Sequence, residues 1–365
     1  MRSYHYLIVG SGLFGATFAR ELKKAGKKVL VIEKDDHVGG HVYTKKIHGA
    51  EIHLYGPHIF HTDSKKIWDY VNNVVEFEPY FHKVKAKYGN KIYSLPFNMS
   101  TFYELWGCTT PGEAYQEIEK QKVKIENPQN LEDWVLSQIG PDLYQTLIYG
   151  YNKKQWSKEP RKLPASLIKR LPLRFNYNDN YHHSRYSGLP VGGYTNFVNE
   201  LLKDVDVQLN TDFFEIKKWQ KIAKKLIYSG PIDQLFDYKY GTLEYRSLEF
   251  KHVVLDYSFQ GIPQMNHTEA DVPFTRTVEH KYFRRETADN PRSVVTYEYP
   301  INWEPGKKRY YPINDDRNNE INRKYQEELG KQPKVIAGGR LGTYRYLDMH
   351  MVIGQALKMA EKELS

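Results

Sequence analysis

The chain has 365 residues, long enough to bury a large core and to form two or three domains. Its one cysteine, Cys108, excludes an internal disulfide and a Cys-x-x-Cys metal site, and no apolar run approaches the roughly 18 residues that a membrane-spanning helix needs. Lys and Arg outnumber Asp and Glu by 53 to 44, a formal charge of +9, but they are spread along the chain in no recognised nucleic-acid module, so most read as solvated surface charge and no nucleic-acid partner is expected.

The first element is an apolar run, Tyr6-Leu7-Ile8-Val9, that reads as a strand. Gly10, Gly12 and Gly15 follow as a G-x-G-x-x-G turn opening a helical stretch over 13–25, and a second strand over 29–32 runs into Glu33. In that order Gly10 permits the tight turn, Gly12 admits a pyrophosphate close to the backbone, and Gly15 lets helix and strand pack. The helix N-terminus offers free N–H groups to the phosphates, and Glu33 is placed to accept from a ribose hydroxyl. A strand that begins this near Met1 leaves no room for a cleavable signal, and with the lone thiol it points to a reducing cytoplasm.

Residues 51–62 are dense in histidine and aromatics. From about 98 to 170 the patterning is helical, with apolar residues at three- and four-residue spacing over 112–122, 131–138 and 142–151, punctuated by Pro111, Gly140-Pro141 and Pro160. A polar aromatic stretch over 175–183 has little to pack on and reads as a mobile loop. Strands over 205–209 and 225–228 return to the nucleotide unit, short alternating runs over 240–315 suggest an antiparallel sheet, and a strand over 334–337 precedes Gly338-Gly339-Arg340 and a helix over 349–363. The fold expected is α/β: an FAD-binding, Rossmann-like (GxGxxG) domain with an inserted helical domain and an antiparallel β-sheet domain. Its expected boundaries are 1–95 (FAD-binding, first part, with sheet elements), 96–170 (helical insertion), 171–240 (mobile loop and return), 241–330 (sheet, substrate side) and 331–365 (FAD-binding, C-terminal part).

FAD is preferred to NAD because the doublet Gly39-Gly40 follows the acidic residue as it does in flavoproteins related to glutathione reductase and the amine oxidases. Gly338-Gly339-Arg340 looks like their second cofactor contact, and a second complete GxGxxG unit for a nicotinamide is missing. The histidines lack zinc-ligand spacing, so no metal is expected. The thirty tyrosines combine an apolar ring with a hydroxyl, a chemistry suited to sugars, bases and phosphates.

Beyond this unit the chain resembles the UDP-galactopyranose mutase family nearly end to end. The blocks that carry the resemblance are Tyr55-Gly56-Pro57-His58-Ile59-Phe60-His61-Thr62, Leu95-Pro96-Phe97-Asn98-Met99, Gly150-Tyr151-Asn152-Lys153-Lys154-Gln155-Trp156, Ile168-Lys169-Arg170-Leu171-Pro172, Val191-Gly192-Gly193-Tyr194-Thr195, Gly230-Pro231-Ile232-Asp233, Phe274-Thr275-Arg276, Glu298-Tyr299-Pro300, Tyr310-Tyr311-Pro312 and the run from Gly339 to Met349. The resemblance implies an isomerase that interconverts UDP-galactopyranose and UDP-galactofuranose, with N5 of reduced, non-covalent FAD as nucleophile at the anomeric carbon and no net redox change. It implies a homodimer, a separate flavin reductant, and galactofuranose supplied to surface glycans.

By the same resemblance Arg170 and Arg276 would neutralise the diphosphate, Arg170 also closing over substrate, and His61 would sit by the flavin ring, these three being the catalytic set. Tyr181, Tyr310 and Tyr346 would donate to the phosphates, Tyr151 would stack on uracil, Trp156 would line the sugar pocket and Asn266 would contact the sugar or phosphate. The cofactor would be held by Gly10, Gly12, Phe14, Gly15, Glu33, Lys34, Gly39, Gly40, His41, His58, Ile59, Arg340, Asp348 and Met349. Three positions depart from the family pattern: Pro57 for alanine, Phe274 for tyrosine, and His82 where an asparagine is expected, to which no role is assigned. The rival reading is an amine-oxidase-like flavin oxidoreductase, against which the arginine pair argues, because a neutral amine needs no two guanidinium groups.

Overall fold

A computed structural model describes residues 4–168 and 173–365. Tyr4–Val9 (β1), Leu13–Lys24 (α1) and Val29–Ile32 (β2) form the expected β–α–β unit. Among the described residues the sheet they enter has five parallel strands, in the order Asp206–Gln208, β2, β1, Ala223–Tyr228, Val335–Ala337. Its central strands are largely buried, as a parallel sheet requires, while the edge strand Asp206–Gln208 is mostly exposed. Alternate residues sort accordingly: Ile8, Val31 and Ile227 pack into one core with α1 and the C-terminal helix, while Leu7, Leu30, Leu226 and Tyr228 build a second core on the opposite face.

The large sheet is mixed. Its order is Tyr311–Pro312, Tyr245–Leu255, Ser293–Asn302, Arg276–Glu279, Gln264–His267, Val84–Tyr88, Lys91–Leu95, antiparallel throughout except between Gln264–His267 and Val84–Tyr88. The hairpin 84–95, which the expected boundaries assign to the first FAD-binding part, instead joins the sheet expected over 240–315, and it enters by a parallel junction. Local alternation reveals a strand but not its partner.

The helical part contains Met99–Trp106, Pro111–Gln121 and Leu131–Leu143. Thr110 and Glu113 close a reciprocal capping box at the second of these, with Pro111 at its first position. Gly140 interrupts the third at φ +77°, where a Cβ would lie 2.5 Å from the Gln121 side chain. A π-helical turn, Tyr144–Tyr149, then feeds Gly150–Trp156, the helix bearing Tyr151 and Trp156. π-Turns of this kind often mark functional sites.

Contrary to the expectation that 175–183 has little to pack on, the loop is densely bonded. Asn176 and Asn178 side chains accept from the backbone N–H groups of Asn178 and Asn180, Arg174 donates to the carbonyls of Asn178 and Asn180, and Lys83 pairs with Asp179. Its polar composition is spent on partners that lie in the loop itself and on the 82–83 segment.

Candidate active site

Three glycine-bearing segments converge on the first turn of α1. Gly10 has φ +94°, and a Cβ on Gly15 would come within 2.0 Å of the Gly10 carbonyl oxygen. The Gly39 N–H donates to the Ser11 carbonyl, and Gly40 packs against Gly12. A Cβ on Gly338 would strike the Phe14 ring at 2.0 Å, so Phe14 wedges the C-terminal turn against α1. A Cβ on Gly12 would meet nothing within 4 Å, and Gly12, as N-cap, brings no side chain to the free N–H groups of the helix. An anionic diphosphate fits this open, uncapped helix end.

Glu33 is buried and already braces the turn: Ser11 N–H and Oγ–H donate to its Oε2 at 2.8 and 2.9 Å, and Asp35 N–H to its Oε1 at 3.1 Å. An ionised carboxylate has about four acceptor positions, so one remains for a ribose hydroxyl. Lys34 is exposed beside it. His41 stacks on Tyr310 at 4.4 Å, and burial, with Arg340 and Lys308 near, holds its imidazole well below the usual histidine range. Arg340 lies over Tyr346 at 4.8 Å and donates to the Tyr310 and Leu347 carbonyls, which binds the C-terminal turn to the tyrosine cluster.

Among the histidines that the resemblance assigns to the cofactor, His58 Nδ1 faces the Gly56 carbonyl at 2.8 Å, which can only accept, so Nδ1 carries the proton and Nε2 keeps its lone pair. Burial pushes this imidazole down to about 4. Ile59 belongs to the nucleotide-domain core. His61 stacks on His182 at 3.9 Å, meets His350 edge-on at 5.6 Å and bonds Ser184 through Nδ1 at 3.0 Å; burial lowers its pKa, against the pull of Asp348. Asp348 precedes Met349–Leu364 as its N-cap residue, with Met349 against the core. His350 Nδ1 is buried with no hydrogen-bond partner, as are both carboxyl oxygens of Glu298. Buried polar atoms are normally satisfied, so these orphans fit a pocket built around a further polar group.

Several of the residues that the resemblance assigns to the substrate meet around Arg276. Its Nε donates to the Tyr151 hydroxyl at 2.9 Å and its Nη1 lies 3.4 Å from Glu298 Oε1. Burial opposes the charge on Arg276, yet Glu298, Tyr151, Tyr311 and Tyr181 together hold its pKa above the ordinary value. Burial likewise pushes Tyr151 up to about 12 and raises the Glu298 carboxyl. Asn266 is directly opposite Arg276 in the antiparallel ladder, so both side chains leave the same face. Tyr311 touches Trp156 at 6.4 Å and stacks on Tyr346 at 5.9 Å, so the three rings form one row. Tyr181 packs edge-on against His82 at 6.0 Å. Arg170 lies outside the described residues.

Tyr311, Glu298 and His182 were not singled out by sequence reasoning, although the first two lie within quoted blocks. Lys154 also emerges only in three dimensions: its Nζ donates to the carbonyls of His267 at 2.8 Å and Phe274 at 3.0 Å, which fastens the Tyr151 helix to the Arg276 hairpin, and burial lowers it to about 8. Phe274 meets the rings of His267, Tyr297 and Tyr299 edge-on and fills its place as an apolar ring. Asp233, from one of the blocks that carry the resemblance, is fully buried against Arg309 at 2.6 Å.

The buried histidines set an acid limit. His58, His82 and His267 are held at about 4 and His280 at about 3, chiefly by burial, below the unfolded value of about 6.5. The unfolded chain then binds more protons between these values, so their contribution to stability is complete above pH ~6.5 and is lost as pH falls towards 4. Melting temperature measured from pH 7 to 4 should fall steadily; a flat profile would show these imidazoles to be charged in the fold. Among the described residues, no group of three or more His, Cys, Asp or Glu could hold a metal ion, and no helix is long and apolar enough to cross a membrane.

Comparison with known proteins identifies the family. A family model described as UDP-galactopyranose mutase matches residues 146–346, and one described as an NAD(P)-binding Rossmann-like domain matches residues 8–74. A probable UDP-galactopyranose mutase from Klebsiella pneumoniae is 38% identical over 100% of this chain and 96% of its own length. A dTDP-fucopyranose mutase from Escherichia coli is 39% identical over 97% of each, and a UDP-galactopyranose mutase from Mycoplasma genitalium is 32% identical over 100% of this chain and 96% of its own length. The crystal structure of a reduced UDP-galactopyranose mutase superposes with a TM-score of 0.76 over 99% of this chain and 96% of that one, and at 15% identity it bears on the fold alone. A doubly wound nucleotide unit, a site built of arginine and tyrosine, and relatives matched over their full length together place this chain in the UDP-galactopyranose mutase family, a family of FAD-dependent isomerases.

Proposed function

We propose that this chain interconverts UDP-galactopyranose and UDP-galactofuranose. The observation that carries the reading is Arg276, held in a buried setting by Tyr151 and Glu298, with Asn266 opposite it on the neighbouring strand. A diphosphate leaving group needs such a desolvated cation, and a neutral amine substrate does not. FAD would be held at the glycine turn of Gly10, Gly12, Gly39 and Gly338, where in its reduced form it would supply a nucleophile for the anomeric carbon with no net redox change.

The protein's own residues have three tasks in this reading. Arg276, with Arg170, neutralises the charge that develops on UDP as the anomeric bond breaks, and Tyr181, Tyr310 and Tyr346 donate to the same phosphates. Tyr151 stacks on the uracil and Trp156 walls the sugar, which keeps the anomeric carbon aimed while UDP departs and returns. His61 exchanges a proton beside the flavin ring through its imidazole. We further propose a cytoplasmic homodimer, kept active by a separate flavin reductant, that supplies galactofuranose to surface glycans.

One observation favours a second substrate, dTDP-fucopyranose: the Escherichia coli relative bearing that name is 39% identical, on a par with the Klebsiella protein at 38%. Purified flavoprotein should convert UDP-galactofuranose to UDP-galactopyranose only when chemically reduced. Faster turnover of dTDP-fucofuranose would transfer the assignment to that substrate, and bleaching of oxidised flavin by an amine would return it to the oxidase reading.

A further inference from the structure

His82, the departure to which the sequence assigns no role, heads a buried hydrogen-bond chain that ends in the substrate site. His82, Gln264 and Asn266 are each more than nine-tenths buried. His82 Nε2 lies 3.0 Å from Gln264 Oε1, and Gln264 Nε2 donates to Asn266 Oδ1 at 2.9 Å. At its other end His82 Nδ1 faces the Tyr80 hydroxyl at 3.3 Å. A neutral imidazole is one donor and one acceptor, so each bond in the chain fixes the direction of the next. The Tyr80 hydroxyl donates to Nδ1, Nε2–H donates to Gln264, and Gln264 donates to Asn266. The Asn266 oxygen is then occupied, and its Nδ2 amide group meets no acceptor among the described residues. Gln264 and Asn266 are two apart on one strand and share the face that carries Arg276.

We propose that Tyr80, His82 and Gln264 are positioning residues that lock the Asn266 carboxamide with its NH2 group outward beside Arg276, as a donor to a phosphate or sugar oxygen of the nucleotide sugar. The proposal rests on the reading of Asn266 as a substrate contact. A carboxamide free to turn over would present an oxygen to the same anionic ligand and repel it. The lock removes that orientation before substrate arrives, and it makes the preference for a donor a property that position 82 sets through Gln264.

A double-mutant cycle on the reduced holoenzyme tests this, with KM and kcat for UDP-galactofuranose and flavin content measured for Gln264→Met, Asn266→Ala and the pair. Loss of one oriented hydrogen bond is worth about two- to tenfold, so each single variant should raise KM by about fivefold with the smaller effect on kcat. The double variant should be no worse than Asn266→Ala alone, because Gln264 acts only through Asn266. Multiplying effects would overturn the proposal in favour of general loosening of the sheet. Wild-type KM in Gln264→Met beside an impaired Asn266→Ala would overturn the chain but leave the substrate contact standing. Wild-type kinetics in Asn266→Ala would overturn the contact and the proposal together. Should Gln264→Met lose its flavin, His82→Phe keeps the ring against His182 and Phe283 while deleting Nε2–H, and the same cycle applies.

Discussion

Arg276→Ala should lower turnover at least tenfold while leaving bound flavin near the wild-type level. A hydrogen bond to a charged group is worth about 1.5–3 kcal/mol, a factor of roughly ten to a hundred and fifty when it is made to developing charge. Removal also strands Glu298, whose carboxyl is already raised by burial and is opposed in this mainly by Arg276. The Glu298 carboxyl should therefore rise further in the variant. Arg276→Lys should recover only part of the rate, since an ammonium cannot hold Tyr151 through one edge and phosphate through the other. Turnover of Arg276→Ala within twofold of wild type would remove this residue from the catalytic set.

The largest effect on stability is expected at Asp233. Its carboxylate receives Arg309 at 2.6 Å and the Leu243 N–H at 3.0 Å, with Asp233 and Arg309 side chains 0% and 5% exposed. Arg309 is also stacked on Trp303 at 4.1 Å and on Tyr245 at 5.0 Å. Breaking a buried pair from one side leaves an uncompensated charge and costs about 3–5 kcal/mol. Asp233→Ala should thus lower the melting temperature by several degrees and weaken activity through Tyr310, the neighbour of Arg309. Replacing both partners, as Asp233→Leu with Arg309→Met, should recover part of the loss. A melting temperature unchanged in Asp233→Ala would show that water reaches this pair.

The family block Gly230-Pro231-Ile232-Asp233 is in this light a brace behind the tyrosine cluster, through Asp233 and Arg309. Glycine spacing, the strand before it and Glu33 after it are local features, and local geometry alone dictates that turn; its legibility in sequence follows directly. The resemblance carried Arg276, Tyr151 and Asn266 to one site, and the ladder pairing of Asn266 with Arg276 gives that grouping a geometric basis. What chain order could not show is contact between distant segments. The hairpin 84–95 alternates like any surface strand, and only its parallel pairing with Gln264–His267 brings His82 to Gln264, 182 positions away.

The sequence by itself determined the β–α–β nucleotide unit, the family and the chemical kinds of residue that a charged sugar nucleotide requires, because these depend on neighbours within a few residues or on motif order. The tertiary structure alone decided which of those residues are satisfied and which are left to meet a ligand. Burial leaves the Glu298 carboxyl oxygens and His350 Nδ1 without a hydrogen bond, ties Asp233 to Arg309 and gives the His82–Gln264–Asn266 chain its direction, since the worth of a polar group is set by how much water the rest of the fold removes from it.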